Sequence, residues 1–217
     1  MRLLSVNVSQ PKEVSYNGKT IRTGIFKEPV NGQVMLGKLN LDGDGQADLS
    51  VHGGIDKAVY AYPIEHYVYW QNKLNRDEFT CGQFGGNFTV EGMLEDQIHI
   101  GDVFRIGTAL VEVTQPRVPC FKLGLKMGMA TFPKHFWASE RSGFYLRVLE
   151  EGKVGAGDVI ERVKVDPVQL AVKEVHHLLY FDNSNLQGLG KVLSVPALAT
   201  SWRKSFEKVL EKSSKKN

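Results

Sequence analysis

The chain has 217 residues, of which 42% are hydrophobic and 24% charged, the composition of an ordinary folded globular protein. This length supports one substantial domain, or a main domain with a small appendage, without disulfide bonds to stabilise it. The net charge is only +3, and no basic stripe with interleaved aromatic residues occurs. We therefore expect no nucleic acid among its partners.

The ends of the chain and its cysteines predict where the protein works. The first residues, MRLLSVNVSQPKEV, lack the long apolar stretch of a secretory signal. No window approaches the roughly 18 consecutive apolar residues of a membrane span. Cys81 and Cys120 lack the spacing of a zinc ribbon or a redox pair. A cytoplasmic location without membrane association is expected, and KSSKKN at the end is interpreted as a solvated tail.

Short runs that alternate apolar and polar residues recur from residue 1 to about 165, between glycine or asparagine turns. They are LLSVNV, KTIRTGIF, VMLGKL, KAVYAY, NFTVEG, DVFRI, ALVEVTQ, FYLRVLE and DVIERVKV. Roughly nine short strands at this spacing predict a mostly antiparallel β-barrel or sandwich. The stretch DVFRIGTALVEVTQ predicts a hairpin that turns at Gly107-Thr108.

Two helical patterns interrupt the strands. PIEHYVYWQNKL, residues 63–74, opens with a proline and repeats apolar side chains near the helical period. TFPKHFWASER, residues 131–141, shows a shorter pattern of the same kind. Both helices are expected to pack on the barrel.

The pattern changes to helical periodicity after Val165. Asp166-Pro167 is a typical helix start, Asn183-Ser184 begins a second unit, and Pro196 precedes a third. Each unit carries one apolar stripe, which is more often core than a cofactor site: Val172, Val175 and Leu179, then Leu186, Leu189 and Leu193, then Leu198, Trp202, Phe206 and Leu210. The predicted division is a β-barrel over 1–165, a three-helix domain over 166–211 and a basic tail over 212–217.

Cys120 lies in QPRVPCFKL, where two prolines stiffen the backbone on its N-terminal side. Arg117 and Lys122 would favour the thiolate, the form that attacks electrophiles and binds soft metals. The alternative is a small buried hydrophobe, and the residues alone give the two interpretations equal weight. Cys81, in FTCGQF, lacks such basic neighbours and is interpreted as structural.

The stretch LDGDGQADLSVHGG, residues 41–54, carries three aspartates. It is not an EF-hand, because Ala47 stands where that loop needs glycine and Gly53 where it needs a bidentate glutamate. His52, Gly53 and Gly54 follow, and Lys57 comes next. Bare backbone amides beside a lysine suit a phosphate, although a plain turn explains this stretch equally well.

Asn87 follows a glycine pair in FGGNFTVEG, residues 84–92. Its amide offers both a donor and an acceptor to a polar heterocycle. The simpler interpretation, an asparagine that forms a turn before a strand, is favoured when this stretch is judged alone.

Four motifs in this order resemble the MOSC family, the domain related to the C-terminal part of molybdenum cofactor sulfurases. They are GDGQADLSVHGGIDKAVYAYP, CGQFGGNFTVEG, IGDVFRIGTALVEVTQPRVPCFKL and SGFYLRVLEEGKVGAGD. The C-terminal helices resemble those of YiiM-type bacterial members, so the resemblance covers nearly the whole chain. The chain departs from the family's G-E-N-L segment, with Gly86 for the glutamate and Phe88 for the leucine.

The resemblance implies a barrel-like β fold that holds the molybdenum cofactor. Cys120 matches the family's single cysteine ligand to molybdenum and is the implied catalytic residue. Pyridoxal phosphate is not expected. By physical type, the other cofactor-binding candidates are His52, Gly53, Gly54 and Lys57 for phosphate or oxo groups, Asn87 for the pterin, and Arg117 and Arg147 as further cations. His135, Trp137 and Tyr145 are candidates to line the substrate side.

The implied activity is reduction of N-hydroxylated compounds such as 6-hydroxylaminopurine. The chain has no flavin, nicotinamide or iron-sulfur motif, so a separate reductase of the flavoprotein type would supply electrons. One alternative is a carrier or storage protein for the cofactor, or for sulfur on Cys120, and another is an interaction module. The helical domain is expected to lie far from the metal, and homodimerisation is left open.

Overall fold

The computed structural model describes residues 1–48 and 53–214, with side chains as far as residue 212. None of the helices in these ranges is long and apolar enough to cross a membrane. The strands are β1 (Arg2–Val8), β2 (Lys12–Tyr16), β3 (Lys19–Thr23), β4 (Glu28–Pro29), β5 (Gln33–Leu36), β6 (Val59–Pro63), β7 (Phe88–Glu91), β8 (Val103–Ile106), β9 (Ala109–Pro116), β10 (Phe144–Glu150), β11 (Gly152–Gly155) and β12 (Ile160–Lys164). The helices are α1 (Glu65–Leu74), α2 (Phe121–Met127), α3 (Phe132–Ala138), α4 (Val172–Tyr180), α5 (Leu186–Leu193) and α6 (Thr200–Ser214).

Eight strands form one sheet in the order β12-β8-β9-β10-β6-β7-β1-β4. The neighbouring strands pair antiparallel except β6 and β7, which are parallel. The ladder is not closed, but the amide of Leu3 donates to the carbonyl of Asp158 at 2.9 Å, and that of Ile160 to Met1 at 3.0 Å. The end strand β12 therefore meets β1, which is next to the last strand at the other end of the sheet. The predicted class, mainly β with appended helices, is confirmed, with an open barrel in place of a closed one.

The hairpin predicted at Gly107-Thr108 is confirmed, with Ile106 opposite Ala109. Gly107 has φ of +54°, and a Cβ added there would lie 2.2 Å from the carbonyl oxygen of Lys153. Only glycine fits both the backbone conformation and the space at this turn.

Helices α1 and α3 confirm the two predicted helices, and both pack against an aromatic cluster on β6. Trp70 of α1 donates its indole N–H to the Tyr62 hydroxyl at 2.8 Å. Its ring also stacks on Phe136 of α3 at 5.5 Å between centroids. Helix α2 was missed by the sequence analysis. It begins directly after Cys120, in a segment too short for a helical period to show.

The three C-terminal helices are confirmed, but the first begins at Val172, not at Asp166-Pro167. Asp166 forms a turn, because its carboxylate accepts from the amide of Val168 at 3.0 Å. Its own amide donates to the Asp102 carboxylate at 3.0 Å. Apolar side chains of these helices belong to the same buried cluster as those of the barrel. The division at residue 165 stays a prediction.

Candidate functional site

Cys120 lies at the edge of a cavity of about 100 Å³ that opens to solvent. We call it the cationic cavity. Segments far apart in sequence line it: Thr23, Gly24, Ile25 and Lys27; Asp44, Gly45, Gln46 and Ala47; Gly53, Lys57 and Tyr60; Gly85 and Asn87; Arg117, Cys120 and Lys122; and Tyr145. The three stretches singled out in the sequence therefore meet in space.

Charge in this cavity is strongly unbalanced. Lys27, Lys57, Arg117 and Lys122 line it, whereas Asp44 is the single carboxylate among the lining residues that the structure describes. Asp44 is itself paired with Lys27 and also accepts from the Ser9 amide. No second described carboxylate lines the cavity beside Arg117 and Lys122, and an anionic ligand would balance these two cations.

Arg117 is the most informative of these cations, because it is buried, with 5% of its surface exposed. Its guanidinium carbon lies 4.8 Å from the centre of the Tyr60 ring and 5.3 Å from that of Phe136. It forms no ion pair with a described carboxylate, and within the described ranges its Nη1 has no hydrogen-bond partner. A buried charge is costly unless it is paired, so this guanidinium is suited to an anion that enters the cavity.

The lysines of the cavity are affected by burial. Burial lowers the pKa of Lys57, although the neighbouring carboxylate of Asp56 opposes this. Burial also lowers the pKa of Lys27, against the influence of its partner Asp44. A bound anion would raise both pKa values again, since an opposite charge favours the protonated amine.

Cys120 is half-buried, with its backbone extended at φ −110° immediately before α2. It forms no disulfide bond with Cys81, and its carbonyl accepts from the amide of Leu123 at 3.0 Å. Burial raises the pKa of the neighbouring Tyr145 phenol, while Arg117 opposes the rise. The interpretation of Cys120 as a buried hydrophobe does not agree with this position at a cavity edge.

The other cofactor-binding candidates differ in whether they line the cationic cavity. Gly53 lines the cavity with φ +91°, whereas Gly54 does not line it and is exposed. Asn87 lines it, but its amide already serves the protein: Oδ1 accepts from the Tyr60 amide at 3.1 Å and Nδ2 donates to Asp44 at 2.9 Å. His52 lies outside the described residues.

Arg147 does not line the cationic cavity. Its guanidinium donates to the Asp56 carboxylate, at 2.6 Å from Nη2, and to Glu112 at 3.1 Å. Asp56 also accepts from the Thr200 amide at 3.2 Å. Arg147 was expected to supply a cation to the cofactor, but it is paired with two protein carboxylates, and its Nη2 also contacts the Ala197 carbonyl at 3.4 Å. It instead ties the segment before Lys57 to β10 and to the start of α6.

Lys27 lines the cavity but was not among the residues predicted for the site. This lysine follows β3 in GIFKEP, which carries no recognisable motif. It meets Asp44, which lies 17 positions further along the chain, only in the folded protein, so no local signal in the sequence could have identified it.

A second cavity, of about 300 Å³, lies on the other side of Cys120, and we call it the helix-side cavity. It is lined by Lys57, Gln115, Val118, Pro119, Cys120, Tyr145, Leu179, Tyr180, Ser201, Trp202 and Ser205. The last five residues belong to α4 and α6. The expectation that the helices lie far from the site is therefore wrong. The Ala199 amide donates to the Thr114 carbonyl of β9 at 3.1 Å, which brings α6 beside the segment that carries Cys120.

Of the three residues expected on the substrate side, Tyr145 lines both cavities. His135 is exposed, and neither it nor Trp137 lines either cavity. The Trp137 ring stacks on that of His176, with 3.6 Å between centroids, and so helps to join α3 to α4.

The donor set of the site can be tested against the cofactor that the resemblance implies. The described residues contain no group of three or more histidine, cysteine or carboxylate side chains that could hold a metal ion by themselves. What they provide is one thiol beside an excess of cations. This set fits a metal that arrives within an anionic cofactor and takes one thiolate from the protein.

Two family models match the chain. The MOSC domain matches residues 48–161, and the YiiM-like, 3-alpha helix domain matches residues 171–213. The chain therefore belongs to the MOSC family, whose domains are generally associated with binding of the molybdenum cofactor. Its C-terminal helices are of the YiiM-like kind.

Known proteins resemble the chain over most of its length. The uncharacterized protein YflK of Bacillus subtilis is 44% identical over 95% of this chain and 93% of its own. A protein of Gibberella moniliformis called "Reductase" is 30% identical over 89% of this chain, but only over 35% of its own. The crystal structure of YiiM from Geobacillus stearothermophilus, 37% identical, superimposes with a TM-score of 0.82 over 96% of this chain and 98% of its own.

Gly86, where the family pattern has glutamate, lies in a tight place. A Cβ added there would lie 3.3 Å from both the Phe88 carbonyl oxygen and the Tyr62 Cβ. The Gly86 carbonyl accepts from the Asn7 side chain at 3.2 Å. In this chain the position contributes backbone and no carboxylate.

Proposed function

We propose that the protein binds the molybdenum cofactor in the cationic cavity and reduces N-hydroxylated compounds such as 6-hydroxylaminopurine. The observation that carries the proposal is the buried guanidinium of Arg117 beside the half-buried thiol of Cys120. Membership of the MOSC family and the name of the fungal relative support it. A cytoplasmic location goes with this proposal.

The chain's own residues would hold the cofactor as follows. Cys120 would supply the thiolate ligand, and Arg117 would stabilise that thiolate together with the anionic cofactor. Lys57 and the Gly53 backbone suit its phosphate. Asn87 positions Tyr60 and Asp44 by hydrogen bonds and acts on the site through them.

The reaction would remove one oxygen atom from the substrate. When bound, the molybdenum cofactor supplies two-electron chemistry that cleaves the N–O bond. An N-hydroxylated amine, two electrons and two protons yield the amine and water. Because the chain has no motif for a second redox centre, the two electrons would come from a separate reductase of the flavoprotein type.

The proposal is tested on protein made in a host that synthesises the cofactor. We expect about one molybdenum per chain in the wild type and in Cys81→Ser, and at least about a hundredfold less activity in Cys120→Ser with loss of the metal. Molybdenum is measured by elemental analysis. Reduction of 6-hydroxylaminopurine is measured with reduced methyl viologen as the electron donor.

Cys81 is the matched control, since it is the other cysteine of the chain and lines neither cavity. Molybdenum unchanged in Cys120→Ser would contradict the ligand assignment. A protein that holds the metal, reduces no N-hydroxylated compound and transfers its cofactor to an apo-acceptor would be a carrier instead.

A further inference from the structure

The helix-side cavity meets the cationic cavity at three residues. Lys57, Cys120 and Tyr145 line both. A molecule in the helix-side cavity would therefore lie next to whatever group Cys120 holds. The remaining walls come from the end of β9, the segment after it, α4 and α6, so the cavity exists only because the helical domain packs on the barrel.

The walls of this cavity combine aromatic and aliphatic side chains with polar ones. Trp202 is buried, and Tyr180 is about half-exposed, with 6.5 Å between their ring centroids. Val118, Pro119 and Leu179 add aliphatic surface. The half-exposed ring of Tyr180 favours a flat ligand ring, which can stack or pack edge to face against it.

One polar group in the wall has no partner. Gln115 is 2% exposed, and among the described residues its Oε1 accepts no hydrogen bond. Its Nε2 makes a long contact of 3.4 Å with the Pro116 carbonyl. A buried acceptor without a donor is costly, and a ligand N–H would satisfy it. The hydroxyls of Ser201 and Ser205 lie in the same wall.

We propose that the helix-side cavity is the substrate subsite and that it selects a flat heteroaromatic ring bearing an N–H donor. Tyr180 and Trp202 would contact the ring, and Gln115 would accept from its N–H. This inference rests on the proposed reductase function, and it assigns substrate selection to the helical domain. An aliphatic hydroxylamine would reach the site without these contacts.

Binding is tested first, on full-length protein prepared without cofactor, by isothermal titration calorimetry with 6-hydroxylaminopurine and adenine. We expect Tyr180→Ala and Gln115→Leu each to weaken binding about three- to tenfold, from the lost ring contact and the lost hydrogen bond. Phe181→Ala is the matched control, because Phe181 is 53% exposed against 47% for Tyr180 and lines neither cavity. Tyr180 is half-exposed, so its replacement by alanine should not prevent folding. The Tyr180 variant therefore still tests the proposal if Gln115→Leu fails to fold.

Selection is tested next, on cofactor-loaded protein with reduced methyl viologen. Tyr180→Ala should raise KM for 6-hydroxylaminopurine by a larger factor than KM for cyclohexylhydroxylamine, which has no aromatic ring to stack. The subsite would be overturned if Tyr180→Ala and Phe181→Ala changed purine binding and KM equally. It would also be overturned if neither Tyr180→Ala nor Gln115→Leu changed these quantities. Purine binding that depends on Tyr180 in a protein that reduces nothing would overturn the reductase function but support a purine site here.

Discussion

At the scale of single residues, Arg117 places a charge in the protein interior at a cost to the stability of the fold. Its guanidinium is enclosed by Tyr60 and Phe136, which offer cation–π contacts but no counter-ion. Such contacts recover part of the cost of burying the charge, and an anion would recover more. Arg147 is the opposite case, since two carboxylates hold it and its role is to connect elements.

Replacement of Arg117 by methionine should separate binding from stability. In Arg117→Met we expect molybdenum content to fall at least about tenfold, since the cofactor loses its buried cation. In cofactor-free protein the free energy of unfolding should be unchanged or higher by about 1 kcal/mol, since a costly buried charge is gone. Elemental analysis and urea unfolding measure the two effects.

The control for this change is Arg105→Met, which removes an arginine whose side chain is 44% exposed. Arg105→Met should change neither the molybdenum content nor the free energy of unfolding. A clear loss of stability in cofactor-free Arg117→Met would mean that the guanidinium is a structural group, and the interpretation of the cavity as an anion site would lose its main support.

At the scale of elements, the contact of α3 with α4 depends on a neutral histidine. His176 of α4 is buried, stacks on Trp137, and has no partner for either ring nitrogen within the described ranges. Burial lowers its pKa to about 4, with Glu140 opposing and His177 adding to the decrease. The contact between α3 and α4 therefore favours the uncharged form of the His176 ring.

This histidine should make the fold sensitive to acid. Its pKa in the folded state is below that of the unfolded chain, so from about pH 6.5 down to about 4 the unfolded state binds the extra proton. The associated stability is complete above that window and is lost as the pH falls through it, by up to about 1.4 kcal/mol per pH unit. His176→Phe keeps the stacked ring without the charge and should flatten this dependence.

Urea unfolding at pH 5, 6 and 7.5 measures the effect. His135→Phe, at an exposed position, is the control and should follow the wild type. Parallel curves for the wild type and His176→Phe would show that burial of this ring does not govern acid stability.

At the scale of the whole molecule, barrel and helices share one hydrophobic core. Leu170, Val175 and Phe206 belong to the same buried cluster as Leu3 and Phe104. The helix-side cavity lies along this contact. Loss of the helices would expose the cluster and remove most of the cavity wall, so the two parts are expected to depend on each other for stability as well as for function.

The full chain should therefore unfold as one unit. We expect amide protons on α6 and on β9 to lose protection with the same dependence on denaturant concentration, because the same core must open to expose either. Native-state hydrogen exchange read by mass spectrometry resolves the two elements. Protection of α6 that disappears at lower denaturant than that of β9 would show an independently opening helical domain.

The sequence by itself determined the local structure and singled out several residues that line the cationic cavity, among them Lys57, Asn87 and Cys120. Alternating runs marked the strands, the helical stripes marked the C-terminal helices, and two prolines with a basic flank marked Cys120. These signals are readable because residues a few positions apart produce them. Helix starts were less readable: Asp166 looks like a helix cap, yet it forms a turn held by Asp102.

Only the tertiary structure decided what surrounds Cys120. Lys27 enters the cavity, and Arg147 turns away from it towards Asp56 and Glu112. Tyr180 and Trp202 reach Cys120 from a domain that looked remote. These placements depend on strand order and on the docking of helices, in which residues distant in sequence meet. Periodicity reports which face of an element is buried, but not which other element covers that face.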